Sequence, residues 1–147
     1  MPRITRFKMA TLVGRLDGCI DRAEDIPDTD TSIFRRTKDL TDPFVTVEVV
    51  YPEGNEEVFR TRHIKDCLNP VWGETFSVEV KKDLDKVTFN VRDKEAIGSE
   101  HVAYVSIVAT ELLKGNKIDD LFTLKDEDDK DAGKIKLSVQ FFPEKRN

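Results

Sequence analysis

The chain is poor in the residues that most chemistry depends on. Cys19 and Cys67 are its only thiols, His63 and His101 its only imidazoles, and Trp72 its only indole, in 147 residues. Two cysteines cannot build a disulfide framework or a four-thiolate zinc site, and they read as reduced thiols of a cytoplasmic protein. No G-x-S-x-G, H-E-x-x-H, phosphate-binding or dinucleotide-binding glycine pattern occurs, so a catalytic role is not expected. No apolar run approaches the about 18 residues of a membrane-spanning helix. The basic opening MPRITRFKMATLVGRLDGC is interrupted every few residues and lacks the apolar region of a signal peptide. An excess of positive charge is also missing: 24 Lys and Arg stand against 29 Asp and Glu, for a net charge of −5. That excludes the broad basic stripe of a nucleic-acid binder. An anionic membrane stays open, because a local basic patch acts within a Debye length of about 8–10 Å.

What is present is two-residue alternation. Leu12, Gly14, Leu16, Gly18 and Ile20 share one face; Val45, Val47 and Val49 alternate with Thr46 and Glu48. Phe76, Val78 and Val80 follow, then Val87, Phe89 and Val91, then Val102, Tyr104, Ser106 and Val108, and last Ile135, Leu137, Val139 and Phe141. Each reads as a half-buried strand. Turn residues separate them at Pro52-Glu53-Gly54-Asn55, Asn69-Pro70, Ile97-Gly98-Ser99 and Ala132-Gly133. VFRTRHI at 58–64 and LFTL at 121–124 bring the number to about eight, which implies an antiparallel sandwich or barrel. ATELLKGNK is the one helical piece, with Thr110 as N-cap and Gly115 closing it. No linker divides the chain, so 1–147 reads as a single domain. Two segments do not read as strands: the long stretch from Glu24 to Asp42, and the acidic turn KDEDDKDAG at 125–133.

These pieces together resemble the C2 domain. GRLDGCIDRAEDIP is similar to its opening strand and exit, and LTDPFVTVEV to its Ser-Asp-Pro-Tyr-Val strand entry, with Asp42, Pro43 and Phe44. TRHIKDCLNPVWGETFSVEV resembles the Asn-Pro-x-Trp-Asn-Glu-x-Phe pattern, with Gly73 where Asn is more usual; LSVQFF resembles the closing strand. Within the family the likeness is to the N-terminal domains of novel protein kinase C, because of the early VGRLDGCI strand, the long first loop, and the Ile-Gly and Val-Ala pairs in RDKEAIGSEHVA. The resemblance implies an all-β, eight-stranded antiparallel β-sandwich of type II connectivity with one short helix. In that pattern Trp72 is expected to anchor the core rather than bind a ligand.

The resemblance also implies candidate sites. C2 domains commonly hold Ca²⁺ through loop aspartates, and a hard cation needs six to eight oxygens. Asp42 and Asp93 match two such positions, Glu95 and Glu100 stand near two more, and Asp28 or Asp30 matches the earlier one. The same carboxylates also serve as turn caps. Arg92 and Lys94 beside them oppose a cation, so calcium is a possible rather than a required cofactor. The tip SIFRRTK joins Ile33 and Phe34 to Arg35, Arg36 and Lys38, which suits an anionic bilayer surface. Arg60 and Arg62 form a second basic candidate, although Thr46 and Glu48 stand where phosphoinositide-binding relatives carry lysines. His63 alternates with these arginines and is expected to face the core. The expectation is a monomeric, non-catalytic module that associates peripherally with acidic phospholipid without strict calcium dependence. The alternatives are a module for a protein partner or a parent kinase domain, and a calcium-dependent lipid binder.

Overall fold

The computed structural model describes residues 12–28 and 40–144. Its elements in chain order are β1 (Leu12–Glu24), β2 (Pro43–Tyr51), β3 (Gly54–Arg60), β4 (Val71–Lys81), β5 (Lys86–Lys94), β6 (Ser99–Val108), α1 (Ala109–Leu112), β7 (Ile118–Lys125) and β8 (Asp131–Pro143). All pairings are antiparallel, in the order β3-β2-β5-β6-β7-β8-β1-β4. β6 and β7 share only the Tyr104–Lys125 pair. The order therefore folds over at that seam into two four-stranded halves whose apolar faces meet. The last strand lies between β7 and β1, beside the first strand of the chain, as type II connectivity requires.

The alternation explains most of the core. Leu16, Ile20, Val45, Val47, Val49, Val87, Phe89, Val91 and the inward residues of β8 are buried in one cluster. Phe76 of β4 bridges the halves, with its ring centroid 5.6 Å from that of Phe59 and 6.2 Å from that of Phe89. Its ring lies directly over Gly18, where a Cβ would come within 2.5 Å of Phe76 Cζ and 2.8 Å of the Ser138 carbonyl oxygen. Trp72 is 2% exposed and belongs to the same cluster. Its indole N–H finds no acceptor among the described residues, so packing alone favours its burial. Gly73 next to it takes φ +60°, a left-handed conformation open to Gly and Asn, which accounts for the interchange of those two residues in this motif.

Four local expectations are corrected. On β6 Val102 is buried as expected, but after it the inward residues are Ala103, Val105 and Ile107, and Val108 is 48% exposed. A register shift between Val91 and Arg92 leaves Val102 unpaired and reverses the parity of everything after it. The expected strand at 58–64 ends at Arg60; beyond it Thr61 and Ile64 still donate to the carbonyls of Val45 and Pro43, but the buried Thr61 hydroxyl accepts the Val45 amide and breaks the ladder. His63, in that irregular stretch, is exposed rather than core-facing. The helix is capped by Val108 without a side-chain hydrogen bond, and Thr110 lies inside it.

Trp72→Ala is expected to lower unfolding free energy by about 3–5 kcal/mol, and Gly18→Val by about 1–3 kcal/mol through the clash with Phe76. Urea denaturation followed by circular dichroism measures both; losses below about 1 kcal/mol would contradict the packing described.

Candidate functional site

Three connecting segments meet at one end of the sandwich, and hydrogen bonds among them set its geometry. The stems of the long first loop are joined where the Thr41 hydroxyl donates to the Pro27 carbonyl over 2.9 Å. Thr41 is fully buried, and its carbonyl accepts the Cys67 amide. The LNP turn is stitched to the end of β1: Ala23 and Ile26 donate to the carbonyls of Pro70 and Leu68, and the Asn69 side chain accepts the Asp25 amide over 2.9 Å. Asp25 has φ +54°, so Asn69 holds a left-handed residue in place. The sequence marks Asn69 only as a turn former; its partner lies 44 residues away.

Asp42 is the centre of this end. Its carboxylate accepts the Asp66 amide over 2.7 Å, its own amide donates to Asp93 Oδ1 over 2.9 Å, and its carbonyl accepts the Lys94 amide. Asp93 is 4% exposed. Carboxylate oxygens of Asp93, Glu95 and Glu100 lie within 4.8 Å of one another. That spacing fits the shell of one hard cation, but the three supply only part of the six to eight oxygens such an ion takes. Asp42 and Asp28 do not join this group. Asp30 lies outside the described residues, as do Ile33, Phe34, Arg35, Arg36 and Lys38. Arg92 is engaged elsewhere, its Nε donating to the Ser99 hydroxyl over 2.7 Å.

Beside the carboxylates opens a cavity of about 460 Å³, lined by Arg60, Arg62 and Lys94 against the single carboxylate of Glu95. Both arginines are held in position. Arg60 makes a two-pronged bond to Glu57 (3.1 and 3.0 Å) and lies 5.0 Å above the Phe44 ring. The Glu57 bond keeps its guanidinium still more firmly protonated than usual. Arg62 bonds Glu74 Oε2 through its backbone amide and its guanidinium, which stays 59% exposed. Thr46 and Glu48 do lie across from this strand, opposite Arg60 and Glu57.

At the rim stands a residue that the sequence did not single out. Ile97 is 93% exposed, at the apex of a tight turn closed by the Glu95 amide and the Gly98 carbonyl. The available signal is its position: a lone large apolar residue between Ala96 and a turn glycine, in a connection this short, has no chain with which to fold back onto a sheet.

With this geometry in view, comparison with known proteins is direct. The C2 domain family profile matches residues 14–124, and the chain belongs to the C2 domain family. It is 32% identical to phospholipase D gamma 3 of Arabidopsis thaliana over 139 residues, which is 92% of this chain and 15% of that protein. It is 28% identical to synaptotagmin-4 of the same plant over 142 residues, covering 95% of this chain and 23% of that one. The chain thus spans a small part of these relatives' length. Among solved structures, a C2 domain of plant extended synaptotagmin 1 superposes with TM-score 0.71 at 22% identity, covering 92% of this chain and 98% of that one. The calcium-bound pair of C2 domains from extended synaptotagmin 2 gives TM-score 0.72 at 23% identity, covering 88% and 46%. The narrower likeness to novel protein kinase C is not what these matches carry.

Asp93→Ala should cost about 1–3 kcal/mol of stability, because it leaves the Asp42 amide without its acceptor in a buried place. Glu100→Ala, at an exposed position, should change stability by under about 0.5 kcal/mol. Urea titrations of both variants check this, and equal losses would contradict the structural role of Asp93.

Proposed function

We propose that the chain is a non-catalytic targeting module that attaches peripherally to acidic phospholipid through this loop end, without strict dependence on calcium. The observation that carries the reading is Ile97, a fully presented apolar side chain beside a cavity lined by Arg60, Arg62 and Lys94. Burying an isoleucine in the acyl boundary contributes about 1.5–3 kcal/mol, and each cation near an anionic surface about 1 kcal/mol. Together they suit weak, reversible attachment. Ile33, Phe34, Arg35, Arg36 and Lys38 are proposed as further lipid contacts on their apolar and cationic character; they lie outside the described residues, between stems at Pro27 and Thr41 that are joined at this end. A lipid partner also agrees with the names of relatives, phospholipases D and a calcium-dependent lipid-binding protein of Arabidopsis thaliana.

Calcium has a lesser part in the proposal. Asp93, Glu95 and Glu100 are the residues that would hold it, with Asp28, Asp30 and Asp42 the sequence candidates that supply further oxygens. A bound ion would add positive charge at the lipid surface. Two features support independence from it: Asp42 and Asp93 accept backbone amides as they stand, and Lys94 and Arg62 already supply positive charge. A place beside a kinase domain, as in novel protein kinase C, rests on the early first strand, the long first loop and the Ile97-Gly98 and Val102-Ala103 pairs; the curated relatives support a phospholipase or synaptotagmin-like parent instead.

Co-sedimentation with phosphatidylcholine vesicles, with and without phosphatidylserine, in chelator and in calcium, tests the proposal. Wild type should pellet with the acidic vesicles in chelator, and Ile97→Asp should lower partitioning about tenfold or more. Binding that appears only with calcium, or that ignores Ile97→Asp, would overturn the reading.

A further inference from the structure

The outward face of the β3-β2-β5-β6 half carries a second depression, also of about 460 Å³, further from the loop end than the cationic cavity. Its floor is a set of hydrogen-bonding side chains on β5 and β6. Thr88 and Ser106 share a hydrogen bond of 2.8 Å, the His101 Nε2 meets Asn90 Oδ1 at 3.1 Å, and the Tyr104 ring centroid stands 6.2 Å from that of His101. Two carboxylates look into it. Glu48 comes from β2, and Glu127 reaches over from the turn after β7, across the Tyr104–Lys125 seam.

Glu48 is in an unfavourable position. It is half-buried and stands directly opposite Glu57 on β3, a like-charge pair that costs stability on a sheet. Arg60 compensates Glu57 with two bonds. Glu48 has no such compensation: its other neighbour, Thr88, is engaged with Ser106, and among the described residues it makes no hydrogen bond or ion pair. Glu127 is likewise without an ion pair among them. Lys86, at the far rim, is the one cationic residue lining the depression. Burial first, and Arg92 second, lower the His101 pKa, while Glu127 and Glu48 act in the opposite direction.

We propose that this groove docks a cationic segment of a partner protein, whose lysine or arginine side chains pair with Glu48 and Glu127 and whose backbone polar groups meet the amide and hydroxyl groups of β5 and β6. The charge is opposite to that of the loop-end cavity on the same half. A membrane that takes up the cationic end would therefore leave the anionic groove free for a second partner. The proposal does not depend on lipid binding, and its test contains no lipid.

The probe is a fluorescein-labelled peptide of alternating lysine and serine, titrated by anisotropy at moderate salt, with an alternating glutamate and serine peptide as its counterpart. Glu48→Gln combined with Glu127→Gln should weaken lysine-peptide binding about tenfold. Glu79→Gln with Glu53→Gln, the same change in net charge at exposed positions outside the groove, should change it less than about twofold. Amide shifts in a ¹H–¹⁵N spectrum should concentrate at Asn90, His101 and Tyr104. Thermal melting of the groove variant should be unchanged or raised, since it relieves the Glu48–Glu57 repulsion, so weakened binding is not lost folding. Equal effects of the two double variants, shifts elsewhere, or preference for the glutamate peptide would overturn the proposal.

Discussion

Asp42 gives its carboxylate to the Asp66 amide, its amide to Asp93 and its carbonyl to Lys94, and the loop end depends on those three bonds. They tie together the stem of the first loop, the stretch between β3 and β4, and the end of β5. Each of these segments would otherwise leave backbone groups for water to satisfy. Because the ties are made by one residue just ahead of Pro43, β2 enters the sheet at a set register, with Pro43 opposite Asp93. The functional consequence follows directly. Arg60, Arg62, Lys94 and Ile97 stand around a platform braced by these bonds.

The same bonds bear on calcium. In a metal-dependent site the loop carboxylates repel one another until an ion arrives. Here two of the expected ligands already accept backbone amides, while Asp93, Glu95 and Glu100 remain close enough to share an ion. A chain with net charge −5 can still address an anionic surface, because screening confines the contest to the few charges within about 8–10 Å. The lining of the loop-end cavity has three cations against one carboxylate, with Arg60 and Arg62 each also paired to a glutamate at its side, and the groove lower on the same half is lined by two carboxylates and one lysine.

Much of the fold was legible in the sequence, because two-residue periodicity and half-burial are the same fact seen twice. Val45, Val47, Val49, Val87, Phe89 and Val91 point inward as their alternation indicates, and the lone Trp72 is core. The failures have a common cause. One extra residue at Val102 reverses the facing of β6, and one buried hydroxyl at Thr61 ends β3 early and leaves His63 exposed; neither event has a local compositional signature. The site is less legible than the fold. Glu95 and Glu100 follow from the family pattern, and they do lie together with Asp93. Lys94 and Phe44 join Arg60 and Arg62 only because separate strands converge. Glu48 reads in the sequence as a missing cation, when its lack of a partner is the more informative fact.

The central claim is that Ile97 enters the lipid surface without calcium. An environment-sensitive fluorophore placed at that position, through Ile97→Cys with Cys19→Ser and Cys67→Ser, reports this directly. On addition of phosphatidylserine vesicles in chelator, its emission should shift to the blue, while the same label at Leu121 on β7 should not respond. An unchanged spectrum at position 97 in vesicle-saturated samples, or a shift that appears only with calcium, would contradict the account.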